Sequence, residues 1–315
     1  MASNIRPACH HPLDVIGNTP LLRLGKVVPQ DSCADIYIKL EYMNPTASYK
    51  DRLARALVEQ AEQDGRLTPG MKIVEATGGS TGSSLAYVCA LKGYPFRAVC
   101  SPVFAPEKLR TMAALGAELD LVESPTGKIT PDFFRSLVDR ASETADREGW
   151  LLANQFRNKD ALVGYRALGE ELVAQLPQGI DAFCAAVGGA GMAMGVAAVL
   201  KEKKKDTKVV VLEPASSPLL TEGRTGAHSV DGVGPGFIPP LLDDTLYDEA
   251  RAVEEEEGRR MCRRLAAEEG VFAGVSTGLN VVAAIQLAKE LGPGKVVVTV
   301  ACDSGFKYLH GPLFA

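Results

Sequence analysis

Lys50 is the residue of this chain best placed for covalent chemistry. It lies in Asn44-Pro-Thr-Ala-Ser-Tyr-Lys-Asp-Arg52, where Asn44-Pro45 signals a turn. Ser48 followed three residues later by Asp51 has the spacing of a capping box, which predicts Lys50 in the first turn of a helix. A cation there faces the positive end of the helix dipole, an effect of about 0.3–1 kcal/mol near a surface. The neutral amine, the form that attacks carbonyls, is favoured. A lone lysine on a helix is ordinarily solvated, so its chemistry depends on its company.

Two glycine-rich loops supply that company. Glu75-Ala-Thr-Gly-Gly-Ser-Thr-Gly82 follows strand-like Ile73-Val74 and precedes Leu85, Val88, Cys89 and Leu91 at helical spacing. Such a loop at a helix N-terminus offers backbone N–H groups to a carboxylate or phosphate. The second loop, Gly188-Gly-Ala-Gly-Met-Ala-Met-Gly195, follows the apolar Phe183–Val187 stretch and also opens a helix. Gly189, Gly191 and Gly195, with the acidic strand end at Glu213 about twenty residues on, imitate a nicotinamide-dinucleotide fingerprint. By itself this loop fits either a dinucleotide or another phosphate-bearing cofactor.

The elements that must carry these residues alternate along the chain. Ile36–Leu40, Val74, Ala98–Cys100, Leu119–Val122, Phe183–Val187, Val209–Leu212 and Val296–Val300 read as strand regions. Pro106–Leu115, Asp160–Gln175 and Gly258–Glu269 read as helices between them. This βα alternation implies parallel sheets with helices on both faces and ligands at the carboxyl ends of the strands. With 315 residues the chain is long enough for about two domains.

Composition narrows the function classes. A net charge of -5 and a pI near 5.6 argue against a nucleic-acid or acidic-membrane partner. Seven irregularly spaced cysteines, several inside apolar runs such as Ala98-Val-Cys100, read as reduced core thiols of a cytoplasmic protein. Met1-Ala-Ser-Asn-Ile-Arg-Pro7 carries no signal-peptide pattern. Ala182–Leu200 is uncharged and long enough to span a bilayer, but its Gly188-Gly-Ala-Gly191 centre predicts a buried strand–loop–helix instead. Cys9-His10-His11 reads as a polar tail rather than a metal site, so no metal is expected. The runs Lys201–Asp206 and Glu254–Glu257 read as solvated surface.

Further motifs complete a pattern. They are Ile16-Gly-Asn-Thr-Pro-Leu-Leu22, Gly232-Val-Gly-Pro-Gly-Phe-Ile-Pro239, Gly274-Val-Ser-Thr-Gly278 and Asp303-Ser-Gly-Phe-Lys-Tyr-Leu309. With Lys50 and the two loops, the chain resembles the cysteine synthase and cystathionine β-synthase branch of the fold-type II pyridoxal-phosphate enzymes nearly end to end. The resemblance implies an α/β fold of two doubly wound parallel-sheet domains, tryptophan synthase β-like, with pyridoxal 5′-phosphate in the interdomain cleft. Domains of residues 1–155 and 156–315 are expected, the N-terminal segment being free to cross over. The last motif falls near the end of the chain, so no appended regulatory domain is expected.

The resemblance places the Schiff-base lysine at Lys50 and the phosphate cradle at Gly188, Gly189, Ala190, Gly191 and Met192. Ser276 falls where the family's serine meets the pyridine nitrogen, and Gly232 lets backbone approach the cofactor. Thr77, Gly78, Gly79, Ser80, Thr81 and Gln155 fall on the substrate-carboxylate site, with Ser80 also reaching the cofactor. Departures are equally legible. The family's cradle carries threonines where this chain has Gly189 and Met192, the asparagine at the cofactor's 3′-oxygen is Ser80, and a serine near the carboxylate is Gly78.

A hydroxyl at Ser276 does not force the pyridine nitrogen to stay protonated. That suits α-proton removal by Lys50 coupled to loss of a β-leaving group. The expectation is β-replacement on an O-activated serine through an α-aminoacrylate, with sulfide, a thiol or another small nucleophile, by a cytoplasmic homodimer. A β-eliminating lyase or dehydratase is the alternative. More remote are a non-catalytic binding protein and an NAD-dependent oxidoreductase.

Overall fold

The computed structural model describes residues 8–29, 32–128 and 130–315. Met1–Pro7, and the reading of that segment as lacking a signal peptide, lie outside them.

In chain order the first elements are β1 (Leu21–Arg23), β2 (Asp35–Leu40), α1 (Lys50–Gln63), β3 (Ile73–Ala76) and α2 (Ser80–Lys92). Next come β4 (Phe96–Cys100), α3 (Pro106–Ala114), β5 (Glu118–Leu121), α4 (Pro131–Glu148), β6 (Leu151–Leu152) and α5 (Asp160–Gln175). The remainder is β7 (Ala182–Ala186), α6 (Gly191–Lys203), β8 (Lys208–Pro214), α7 (Leu219–Glu222), β9 (Glu249–Val253), α8 (Glu255–Arg264), α9 (Val275–Leu291) and β10 (Val296–Ala301).

These strands form a six-stranded sheet of order β1-β2-β10-β7-β8-β9 and a four-stranded sheet of order β5-β4-β3-β6. All ladders are parallel except β1 against β2. The central strands β7 and β10 are buried at every position, as parallel strands covered on both faces require. β2 alternates its burial over its first four residues, is buried from Ile38 to Leu40, and pairs in register with β10 from Val296↔Asp35 to Ala301↔Leu40. The strand preceding Lys50 is thereby, with β1, part of a sheet whose other four strands come from the second half of the chain. The four-stranded sheet is drawn wholly from residues between Lys50 and Gln155.

The strand and helix regions expected from periodicity are present, and β1, β6 and β9 are additions. Ala182–Leu200 is a buried strand, loop and helix, and among the described residues no helix is long and apolar enough to cross a membrane. The helix expected at Gly258–Glu269 begins earlier, at Glu255, and closes in a π turn over Leu265–Glu269. Within the acidic run, Glu255 is not simply solvated: it accepts hydrogen bonds from the Ser216 and Ser229 hydroxyls, each at 2.8 Å. His11 ends the polar tail by accepting from the Leu13 N–H at its Nδ1 (3.2 Å). Among the described residues, no His/Cys/Asp/Glu cluster could hold a metal ion.

One buried ionic network fixes the start of α1. Arg52 donates to both oxygens of Glu41 (2.7 and 2.9 Å) and to both of Glu171 (2.8 Å each). Lys39 pairs with Glu171 at 2.7 Å. The guanidinium and ammonium together hold Glu171 down to about 2, against the opposing effect of burial. Strand β2, the turn after it, α1 and α5 are thus joined two residues beyond Lys50.

Candidate functional site

Lys50 is the first residue of α1, as the sequence predicts, but its helix is not opened by a capping box. The Ser48 hydroxyl accepts from the Lys50 N–H (3.2 Å). Asp51 is fully buried and turns to Thr46, accepting from its N–H (2.8 Å) and its hydroxyl, because buried donors are the better partners for a desolvated carboxylate. The turn is pinned to the end of β10: Tyr49 N–H donates to the Cys302 carbonyl (3.0 Å) and Ser304 N–H to the Ala47 carbonyl (3.1 Å). Lys50 Nζ lies 4.9 Å from the centroid of the Tyr49 ring. Part of the residue remains accessible, but its amine is enclosed, and burial lowers its pKa to about 8. The sequence attributed a neutral amine to the helix dipole; desolvation is the larger cause, opposed by Cys302 and Glu75.

The first glycine-rich loop joins β3 to α2. Its oxygens are largely committed within the protein. Thr77 Oγ1 accepts from the N–H groups of Gly82 (3.1 Å) and Gly79 (3.4 Å). Thr81 donates to Gln155 Oε1 at 2.7 Å, while Gln155 Nε2 donates to Glu75 Oε1 (3.3 Å) and the Ala76 carbonyl (3.4 Å). Both ends of the Gln155 amide are therefore occupied. Glu75 is enclosed, and burial pushes its carboxyl up to about 7. Ser80 Oγ accepts from Lys307 Nζ at 3.0 Å. Sequence reasoning did not assign Lys307; the only available signal was a cation inside the Asp303–Leu309 motif. Gly78 has a neighbour that was equally unforeseen: a Cβ built on it would overlap the ring of Phe104.

The second loop joins β7 to α6. Gly188 passes so close to Gly232 that a Cβ on Gly188 would overlap the Gly232 carbonyl, and Gly232 itself has φ +77°. The close approach requires glycine at 188, and the left-handed backbone favours it at 232. Ala190 holds φ +62°, a left-handed conformation that costs an alanine about 1–2 kcal/mol. α6 starts directly after it at Gly191, so the first N–H groups of a thirteen-residue helix have no partner within the helix and point toward the loop. Met192 is buried, packs into the core and offers the loop no side-chain donor.

The acidic strand end that imitated a dinucleotide site is otherwise engaged. Glu213 accepts from the N–H groups of Leu220 and Thr221 and from the Thr221 hydroxyl, all at 2.8 Å. Both its oxygens are spent on capping α7.

Ser276 lies buried in the first turn of α9, beside the Cys302 thiol. Cys302 is held in place by its N–H donating to Thr277 Oγ1 (3.1 Å) and by Asn280 Nδ2 against its sulfur (3.5 Å). One cavity is lined by Lys50, Gln155, the Gly188–Met192 loop, Tyr49 and Tyr165. Of the other candidates, Thr81 reaches that cavity through Gln155 and Gly232 through Gly188. Ser276 does not line it; it lies beside Cys302, whose influence on the Lys50 amine opposes the lowering of that amine's pKa. Thr77, Gly78, Gly79 and Ser80 stand on the adjoining loop and do not line it.

Known proteins share this sequence pattern and fold. The sequence profile of a family described as pyridoxal-phosphate dependent enzymes matches residues 13–303. A cysteine synthase of Staphylococcus aureus is 41% identical over 303 residues, 96% of each chain. The crystal structure of an O-ureido-L-serine synthase superposes with a TM-score of 0.91 at 35% identity, covering 98% of this chain and 96% of its own. That of O-acetyl serine sulfhydrylase isoform 3 from Entamoeba histolytica gives 0.92 at 32% identity, covering 100% and 94%.

Proposed function

The chain belongs to the pyridoxal-phosphate dependent enzymes, and from that premise we propose that it performs β-replacement on an O-activated serine or a similar amino acid, with a sulfide, thiol or other small nucleophile as acceptor. The observation that carries this reading is the enclosed Lys50 amine, with its lowered pKa, in one cavity with the Gly188–Met192 loop. The relatives named cysteine synthase and O-acetyl serine sulfhydrylase support the same chemistry.

The residues fit pyridoxal 5′-phosphate. Lys50 would hold it covalently through Nζ. Gly188, Gly189, Ala190, Gly191 and Met192 would hold its phosphate through backbone N–H groups, in a cradle that a Cβ on Gly188 would disrupt. Ser276 would meet the ring nitrogen, Gly232 would admit the backbone beside it, and Ser80 would lie at the edge nearest the first loop. When bound, this cofactor supplies an electron sink for negative charge at the substrate's Cα.

The protein's own groups then divide the work. Lys50 Nζ takes the Cα proton, a task suited to an amine whose pKa of about 8 is near working pH. Thr77 through its hydroxyl, and Gly78, Gly79, Ser80 and Thr81 through backbone N–H groups, bind the substrate carboxylate at the N-terminus of α2, the Thr77 N–H and the Thr81 hydroxyl being held by Val99 and Gln155. Gln155, whose amide is fully engaged, orients Thr81. A hydroxyl rather than a carboxylate at Ser276 favours departure of the β-substituent over reprotonation.

The same reading carries a cytoplasmic homodimer with small-molecule substrates only. Its working units are residues 1–155 and 156–315, with β1 and β2 lent to the second. Product analysis with O-acetylserine, with and without added thiol, tests it. An S-substituted cysteine formed only with thiol is expected. Pyruvate released regardless of thiol would replace this reading by β-elimination.

A further inference from the structure

Aromatic rings gather where the two glycine-rich loops approach one another. Phe104, in the β4–α3 connection, lies in the space that a side chain at Gly78 would need. Phe104 and Phe134 pack against the same apolar cluster at the end of the four-stranded sheet, built from Val74, Ala76 and Val99. Phe134 meets Phe156 edge-on at 6.0 Å, and Phe156 meets Phe237 edge-on at 5.5 Å. Phe156 follows Gln155, and its ring comes within 3.5 Å of where a Cβ on Gly189 would stand. The rings thus lie between Gly78 on the first loop and Gly189 on the second, Phe104 being joined to the other three through the shared cluster rather than ring to ring. The outer end of this strip is open: Phe237 is 38% exposed and the neighbouring Ile238 62%.

We infer that this strip is an acceptor subsite, selecting a nucleophile with an aromatic carbon body, a thiol in the first instance, over hydrosulfide. The inference rests on the β-replacement reading. A hydrosulfide ion is small and strongly hydrated, and phenyl faces offer it no donor in exchange for that water. A thiol carrying a ring buries apolar surface against Phe156 and Phe237, gaining roughly fourfold in affinity per buried methylene equivalent and edge-to-face contacts besides. The absence of a side chain at Gly78 follows from the same arrangement, because Phe104 takes that volume. In the reaction the C–O bond at Cβ breaks, with its electron pair leaving on acetate. The thiol sulfur forms the new C–S bond, and its proton is released with the acetate. No oxidant or reductant is needed.

The test is a competition on the holoenzyme with O-acetylserine, offering phenylmethanethiol and hydrosulfide together and quantifying both products. A preference for the aromatic thiol of about tenfold or more in kcat/KM is expected, falling at least about tenfold in Phe237→Ala and in Phe104→Ala. Calorimetric binding of benzyl methyl sulfide, which cannot react, reads the strip apart from the chemistry, and its affinity should fall in Phe237→Ala. Preference for hydrosulfide in the wild type, or an unchanged ratio in both variants, overturns the inference while leaving β-replacement standing. If neither acceptor is incorporated, the β-replacement reading fails. The calorimetric arm then decides the strip alone: unchanged affinity in Phe237→Ala overturns the apolar subsite, and a loss supports it.

Discussion

Lys307 Nζ donates to Ser80 Oγ at 3.0 Å, so a residue beyond the last strand reaches the first turn of α2. The contact brings a cation to the position where this chain has a serine in place of an amide side chain. Burial lowers the Lys307 pKa, and the carboxylates of Asp303 and Asp51 oppose that shift. Ser80 alone is a short donor; Ser80 held by Lys307 is a polarised one. Hydrogen bonds to charged groups contribute about 1.5–3 kcal/mol. Lys307→Met should therefore weaken retention of pyridoxal phosphate about tenfold or more, measured by titrating the apoenzyme with cofactor, and Lys307→Arg should retain more affinity. Equal affinity in wild type and Lys307→Met would show that the pair has no part in cofactor binding.

The second loop makes two glycines unequal. A Cβ on Gly188 would overlap the Gly232 carbonyl, whereas one on Gly189 would meet ordinary contacts at 3.5 Å. Gly188→Ala should abolish cofactor retention, because one of two backbones must move. Gly189→Thr should fold normally and bind cofactor several-fold more tightly, since one added hydroxyl donor contributes about 1 kcal/mol. Equilibrium dialysis of both variants checks the pair. Equal tolerance at the two positions would be inconsistent with the described approach of Gly188 to Gly232.

Glu75 gives the site a pH signature of definite sign. Its carboxyl is raised from 4.5 to about 7 by burial, so between those values the folded chain holds a proton that the unfolded chain has released. The stability this contributes is whole below pH 4.5 and is lost as pH rises through about 7. The effect is on the order of 3 kcal/mol. Denaturant midpoints followed from pH 5 to 8 should decline in the wild type relative to Glu75→Gln, which has no charge to acquire. Parallel profiles for the two proteins would contradict the enclosed carboxyl.

Much of this was written in the sequence because the relevant signals are local. A turn before a helix placed Lys50, and glycine clusters between strand and helix patterns placed both loops. What escaped is set by contacts distant in the chain. Asp51 had the spacing of a capping box, yet its burial beside Thr46 gave it better partners. Glu213 had the spacing of a ribose-binding residue, yet it caps α7. Gln155 was legible as a candidate and does line the cavity, but not legible was that Glu75 and Thr81 would engage both ends of its amide. Lys307 and Phe104 lie 227 and 26 positions from the residues they meet, and no periodicity relates them.

The most direct measurement is the visible absorption spectrum of the purified protein and of Lys50→Ala, each repeated after addition of O-acetylserine. The wild type should show the band of a covalently held cofactor, and that band should shift on addition of the amino acid. Lys50→Ala should lack the band of the free enzyme. A wild-type protein that stays colourless with pyridoxal phosphate supplied, or a Lys50→Ala variant whose spectrum and response match the wild type, would contradict the assignment of Lys50 and with it the proposed chemistry.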